Sequence, residues 1–190
     1  MKRMLTEFAA VSFGVSLLVG GWGGGSAAQE KAASSAQEKD KAPQEEKHHH
    51  DVEERGDQVM GFSHDKATHH FRLHADGGAI EAGANDAKDT ATRDAIRGHF
   101  THIVKMFAAG DFTAPILIHM QNPPGSETMK RLRGEIDYRL EKTAQGARIR
   151  ISTKNAEAVQ AVHAFLRFQI SDHQTGDSGE VAVEGKSQAE

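Results

Sequence analysis

Two stretches of the chain carry the same pattern, a hairpin followed by a helix, and this pattern constrains the fold more than any other feature. In the first stretch, residues 68–74 alternate in polarity, residues 75–78 form a turn and residues 79–84 form the return strand. Alternation is typical of a strand with one buried face, and glycines at 77 and 78 permit the positive φ of a tight turn. The stretch therefore predicts an antiparallel hairpin.

A helix is predicted after this hairpin, from about residue 90 to residue 109. Asp86 and Asp89 offer N-terminal caps, and Gly110 ends the helix. The apolar residues recur at helical spacing and form one stripe, made of Ile96, Phe100, Ile103, Val104 and Phe107. This stripe is expected to pack against a sheet.

The second stretch repeats the pattern 67 to 69 residues later. Ile136, Tyr138 and Leu140 alternate with polar residues, a turn follows at 144–146, and residues 148–152 form the return strand. Asn155 is predicted to cap a helix that runs to about residue 171. The repetition favours a duplicated strand–strand–helix unit, although two unrelated hairpin–helix units would show the same pattern.

Between the two stretches, residues 112–120 are predicted to form a fifth strand, with Pro115 at an edge or bend. Ser126 is predicted to cap a short helix to about residue 133. The outward strand faces are polar in both halves, which leaves one side of the sheet to solvent. The predicted fold class is α+β, a two-layer sandwich with a mainly antiparallel sheet and helices on one face.

The N-terminal residues 1–28 have the pattern of a secretory signal peptide. Lys2 and Arg3 precede an apolar run at 8–20, and small residues follow up to Ala28. The run is shorter than the roughly 20 apolar residues of a spanning helix. We therefore expect a periplasmic or secreted protein with no stable membrane span after cleavage. An uncleaved membrane anchor is the alternative.

The remaining chain divides by composition. Residues 29–58 are rich in Ala, Glu, Lys and Gln and contain few large apolar side chains, which predicts a disordered charged linker. Residues 59–175 are predicted to form the α+β domain, and residues 176–190 a disordered tail.

Charge and cysteine content exclude several classes of function. The chain has 23 Lys and Arg against 27 Asp and Glu, a net charge of −4, which argues against nucleic acid as a partner. The absence of cysteine from the sequence excludes disulfides, thiol nucleophiles and thiolate metal sites. Nucleophile-elbow and glycine-rich phosphate-loop motifs are also missing. Binding is therefore favoured over catalysis.

The 12 histidines are the compositional oddity and point to copper or zinc as the candidate cofactor. His99 and His102 lie three residues apart on the predicted helix, with Met106 on the same flank. Two imidazoles can share a metal ion, and a thioether suits Cu(I). The alternative is that His99 packs at the border of the core, while His102 and Met106 are ordinary residues at the flank of the apolar stripe.

Three more histidines, His69, His119 and His163, are candidate metal ligands. His69 shares a strand face with apolar residues, so a buried structural histidine is the alternative there. A metal centre requires these histidines to converge with His99, because metal–nitrogen bonds measure about 2.0–2.1 Å. The tract at 48–50 is interpreted as a mobile metal-scavenging segment or a polar linker.

A protein partner or a homodimer is the other candidate interaction. Phe165 and Phe168 lie at the flank of the last predicted helix, where they extend the core or form an exposed apolar patch. Core packing is favoured.

Four segments together resemble a family of small exported bacterial proteins of unknown function. They are MGFSHDKATHHFRL (60–73), GAIEA (78–82), IRGHFTHIVKMFAAGDF (96–112) and VHAFLRFQISDHQTGD (162–177). The resemblance covers nearly the whole predicted domain. It implies export and a compact domain, and it implies no activity and no functional residues.

The leading hypothesis is an exported small binding protein, not an enzyme, that binds a transition metal through histidines. The alternative is an envelope interaction or stress-related domain with structural or pH-responsive histidines. Protonation of all 12 histidines would move the net charge from −4 to +8. A metal-dependent hydrolase is the third hypothesis.

Overall fold

A computed structural model describes residues 27–182 of the chain, with side chains described for residues 44–182. The chain divides into two units, Met1–Asp40 and Lys41–Glu190, and the fold below is that of the second unit. Almost all of the predicted signal peptide lies outside the described residues, as do residues 183–190 of the predicted tail.

Four strands form one antiparallel sheet, β1 (Ala67–His74), β2 (Gly77–Ala84), β3 (Ile136–Lys142) and β4 (Gly146–Thr153). The order across the sheet is β1-β2-β4-β3, so the two hairpins meet along β2 and β4. This confirms the predicted α+β class and both hairpins.

Five helices accompany the sheet, α1 (Ala27–Met60), α2 (Thr90–Ala109), α3 (Thr113–His119), α4 (Ser126–Arg131) and α5 (Ala156–Asp172). Two predicted caps are confirmed, because Asp89 accepts from the Thr92 N–H and Asn155 from the Glu157 and Ala158 N–H groups. The predicted cap Ser126 is wrong, since Gly125 precedes α4 and the Ser126 hydroxyl donates to the Pro123 carbonyl instead. Asp86 accepts from the Lys88 N–H, ahead of the helix start. α2 packs mainly on β3 and β4, whereas α5 packs mainly on β1 and β2. Each hairpin is therefore covered chiefly by the helix that follows the other hairpin in sequence.

An aromatic group fills the space between the helices and the sheet. The rings of Phe107 and Phe112 lie 4.6 Å apart between centroids, and Phe165 packs edge-on against both at 5.8 and 5.9 Å. Phe165 is 1% exposed, so it belongs to the core, whereas Phe168 is half-buried. The expected core packing is thus confirmed for Phe165.

The predicted fifth strand at 112–120 is wrong, since α3 occupies these residues. Pro115 lies in the first turn of α3, where its missing N–H would have no intrahelical partner anyway. Ala114 and Ile118 are buried while Leu117 is 51% exposed, which is helical and not alternating spacing. The apolar run was short enough to fit either pattern.

The predicted disordered linker at 29–58 differs from the structure, in which these residues belong to α1. In the part of α1 whose side chains are described, Val52 is completely buried and Arg55 Nε donates to the Ile118 carbonyl at 2.7 Å. His48 Nε2 lies 2.9 Å from Asp172 Oδ1 on α5. A few specific contacts thus replace the broad apolar stripe that the segment lacks.

None of the helices among residues 27–182 combines the length and the hydrophobicity that a membrane span requires.

The predicted C-terminal tail also differs in its first residues. Val181 bridges Leu73 in parallel, and the Ala182 N–H donates to the Leu73 carbonyl at 2.8 Å. The Asp177 carboxylate accepts from the Phe71 N–H at 2.9 Å and contacts His70 Nδ1 at 2.9 Å. These contacts satisfy backbone groups along the free edge of β1.

Candidate functional site

Two adjoining cavities, lined by six of the 12 histidines, lie beside the end of α1. The first cavity has a volume of about 70 Å³, and its polar or sulfur-containing lining residues are Met60, His69, His99, His119, Gln169 and His173. The rest of its wall is apolar. The second cavity has a volume of about 180 Å³ and shares Met60, His69 and His173 with the first.

Different elements bring the first-cavity histidines together. His69 lies on the buried face of β1, His99 on α2 and His119 at the end of α3, while His173 follows the last residue of α5. The His173 ring lies 4.9 Å from the His119 ring and 6.1 Å from the His69 ring, measured between centroids. Phe62 stacks on His69 and meets the His99 ring edge-on at 5.9 Å.

Burial keeps three of these imidazoles neutral at neutral pH. Desolvation, with smaller effects of neighbouring histidines, lowers the pKa of His69 to about 4 and that of His99 to about 4. Desolvation, followed by the charges of His119 and His69, lowers the pKa of His173 to about 3. Neutral imidazole is the form that binds a metal ion.

His119 is held differently, because both of its ring nitrogens have protein partners. Nδ1 lies 2.5 Å from Asp172 Oδ2 and must donate, since a carboxylate only accepts. Nε2 lies 3.0 Å from Gln169 Oε1. Burial opposes the ionisation of Asp172, but hydrogen bonds from His48 and His119 outweigh it and lower the Asp172 pKa. This network fixes the end of α3 to α5.

The amide of Gln169 leaves one atom without a partner. The side chain is 4% exposed, and Nε2 makes no hydrogen bond to any described residue. Rotating the amide by half a turn would exchange its nitrogen and oxygen, and the oxygen would then be unpaired instead. A lining residue of the first cavity therefore presents an unsatisfied polar atom in either orientation.

The second cavity adds carboxylates to the histidines. His49 Nε2 lies 3.2 Å from Glu53 Oε1, and His64 Nε2 lies 3.7 Å from Glu53 Oε2. His64 Nδ1 lies 3.1 Å from the Asp57 carboxylate. Burial opposes protonation of His64, but its hydrogen bond to Asp57 and the charges of Glu53, Asp57 and Asp65 outweigh burial and raise its pKa above 6.5.

Of the six predicted site residues, the structure brings together His69, His99 and His119. His102 is exposed, and Met106 packs partly buried against the core. His163 Nε2 lies 2.9 Å from the His74 carbonyl and does not line either cavity. In this conformation His99 and His102 therefore do not face a common site.

Sequence reasoning missed several lining residues, His49, Met60, His64, Gln169 and His173. His49 belongs to the tract at 48–50, which the sequence predicts as a mobile segment or a polar linker, and no sequence pattern assigns His173 to a site. The single available clue was the polar Gln169 near the apolar stripe of its helix. The other residues reach the cavities through long-range contacts that spacing alone does not encode.

In the conformation described for residues 44–182, no group of three histidine or carboxylate side chains is arranged to hold a metal ion.

Comparison with known protein families, characterised proteins and solved structures finds no significant match to this chain.

Proposed function

We propose that the chain is an exported small binding protein that holds a transition metal ion, best fitted by monovalent copper, in the first cavity. The observation that carries this proposal is the meeting of neutral His69, His99 and His173 with the Met60 thioether around one cavity. Imidazole binds copper as well as zinc, iron and nickel, and the thioether is the ligand that favours Cu(I). Export rests on the N-terminal sequence alone.

The absence of carboxylates from the described lining of the first cavity favours a single positive charge. The cost of moving an ion into an apolar wall grows with the square of its charge, so a dication costs about four times as much as a monocation. The neutral donors do not offset a second charge. His119 is not assigned as a ligand, because Asp172 and Gln169 occupy both of its nitrogens.

In the described conformation the rings have to rotate before they can share one ion. Two imidazoles that bind one ion with bonds of about 2.0–2.1 Å have ring centroids about 5–6 Å apart. The centroids of His69 and His173 are 6.1 Å apart, although the rings now stack nearly parallel at 13°. Binding therefore requires both rings to turn about their side-chain torsions from this stacked arrangement, so that a nitrogen of each faces the ion.

Titration of the full chain with Cu(I) in competition with a colorimetric chelator tests this function. The variants His99→Gln and His173→Gln are each expected to weaken binding at least about tenfold, or about 1.4 kcal/mol. Met60→Leu keeps the side-chain volume, removes the sulfur and is expected to weaken Cu(I) in the same direction. His102→Gln, on the exposed flank of α2, is the matched control and should bind like the wild type.

Two outcomes would contradict the proposal. One is Cu(I) binding no tighter than that of a generic histidine-rich peptide. The other is equal affinity in His99→Gln, His173→Gln and the His102→Gln control. Circular dichroism of each variant establishes that the fold is retained.

A further inference from the structure

The segment at residues 175–182, here called the edge segment, lies along the free edge of β1 in the manner of an added strand. Its odd-numbered residues are less exposed than its even-numbered ones, and this alternation is typical of a strand with one covered side. Val181 forms a parallel bridge with Leu73, and the Ala182 N–H donates to the Leu73 carbonyl at 2.8 Å. The edge segment therefore takes the place of a partner strand on β1.

Side-chain contacts add to this pairing. The Asp177 carboxylate accepts from the Phe71 N–H at 2.9 Å and lies 2.9 Å from His70 Nδ1. Arg167 Nε on α5 donates to the Gly179 carbonyl at 2.9 Å. These partners lie on β1 and α5, and every copy of the chain presents them in the same form. The recognition surface is thus complete without the peptide connection between α5 and the edge segment.

The connection between α5 and the edge segment is a strained turn. The Gln174 N–H donates to the Ser171 carbonyl at 3.3 Å. The Thr175 N–H donates to the Ile170 carbonyl, also at 3.3 Å, and the two bonds form the pattern of a Schellman cap. Gln174 occupies the left-handed position of this cap with a φ of 50°, which is costly for a residue that has a Cβ. Gly176 follows with a φ of 73°. An extended connection would remove this strain.

We propose that the edge of β1 binds the edge segment of a second copy of the chain, so that two copies exchange these segments reciprocally. Each exchanged segment makes the contacts that it now makes within its own chain, and each sheet keeps a covered edge. The exchange extends the turn after α5 and relieves the left-handed conformation of Gln174. Two-fold symmetry closes the assembly at two copies. This inference goes beyond the proposed function, because it involves no metal ion.

A second copy is favoured over an unrelated peptide because the fit depends on the sequence of the edge segment. Asp177 accepts from an edge N–H of β1, and Val181, four residues later, pairs with Leu73. Val181 also packs partly buried against the core. An unrelated strand would need a carboxylate and an apolar side chain at this same spacing. A second copy of the chain supplies both.

The exchange is expected to depend on concentration, because the segment of the same chain competes with that of the second copy. A short flexible connection holds a segment at an effective concentration in the mM range. Analytical ultracentrifugation of the full chain, with chelator present, is therefore expected to show a monomer at about 10 μM and a rising dimer fraction toward about 1 mM.

Cysteine cross-linking identifies the exchanged segment in a chain whose sequence has no cysteine of its own. Arg72 and Glu180 are exposed and flank the bridged pair Leu73 and Val181. A mixture of the single variants Arg72→Cys and Glu180→Cys is expected to form a disulfide between the two different chains on mild oxidation, identified by mass spectrometry of the joined peptides. Arg139→Cys mixed with Glu180→Cys is the matched control, because Arg139 is exposed on β3 at the opposite edge of the sheet.

Two substitutions in the turn shift the balance between the closed and exchanged forms in opposite directions. Gly176→Ala adds a Cβ at a positive φ and is expected to raise the association constant about tenfold. Gln174→Gly relieves the strain of the closed turn and is expected to lower it by a similar factor. Gly134→Ala is the control, since Gly134 has no left-handed φ and open space around its Cβ position. A turn with a merely structural role would change stability without changing association.

Three results would each overturn the proposal. The first is a wild-type mass that stays monomeric up to about 1 mM, a measurement that needs no variant to fold. The second is a yield of cross-chain disulfide that the Arg139→Cys control matches. The third is a dimer whose population is the same in Gly176→Ala and Gln174→Gly, since its interface would then lie elsewhere. Circular dichroism establishes the fold of each variant, and the chelator keeps the result separate from that of the copper titration.

Discussion

Acidification from pH 7 to pH 4 is expected to unfold the metal-free protein. His69, His99 and His173 have folded-state pKa values of about 4, 4 and 3, against 6.5 when unfolded. Between these values the unfolded chain binds more protons than the folded chain. The stability that these residues contribute is therefore complete above about pH 6.5 and is lost as the pH falls toward 4.

The expected loss at pH 4 is on the order of 10 kcal/mol for the three residues together. This is comparable to the whole free energy of unfolding of an ordinary domain, about 5–15 kcal/mol. His64 acts in the opposite direction, because its raised pKa adds stability as it is protonated. It is a single group, so the three buried histidines dominate.

Denaturant unfolding followed by circular dichroism, with chelator present and at several pH values from 4 to 8, measures this effect. His99→Gln removes one titrating group and is expected to lower the slope of stability against pH by up to about 1.4 kcal/mol per pH unit. His102→Gln, exposed on the same helix, should keep the wild-type slope. A stability that stays constant between pH 7 and pH 4.5 would show that these imidazoles are not buried in the folded protein.

The sheet and its two covering helices were predictable because local rules agree with the tertiary structure there. Alternation set both hairpins, and the caps Asp89 and Asn155 set the starts of α2 and α5. The helix α1 was not predictable, since Val52 is its one fully buried side chain among those described. Another contact of this helix, from Arg55 to the Ile118 carbonyl, joins residues 63 positions apart. Composition carries no record of such a contact.

The candidate site was predictable only in part, for the same reason. Apolar neighbours in sequence pointed to His69 and His99 as residues near the core. Their convergence with His173 depends on how α5 ends against β1, which is a tertiary property. His102 shows the limit of spacing arguments. It is three residues from His99, yet it faces solvent while His99 lines the cavity.

Replacing Phe165 by alanine is expected to destabilise the domain by about 3–5 kcal/mol. The ring is 1% exposed, packs edge-on against Phe107 and Phe112, and forms part of the first-cavity wall. Its removal loses the transfer free energy of the ring and enlarges a space that rigid neighbours cannot fill. Urea unfolding with an unchanged m value would report this loss. Leu117→Ala, at a side chain 51% exposed, is the control and should change stability by no more than about 0.5 kcal/mol.

A small apolar molecule distinguishes cavity enlargement from a general loss of packing. If Phe165→Ala extends the first cavity, benzene should raise the melting temperature of the variant, because a ligand that binds only the folded state stabilises it by mass action. The wild type, with a cavity of about 70 Å³ already edged by polar groups, should respond much less. A loss of stability below about 1 kcal/mol, or an equal benzene effect on both proteins, would mean that the aromatic core collapses around the missing ring. The wall of the proposed copper site would then be deformable and not preformed.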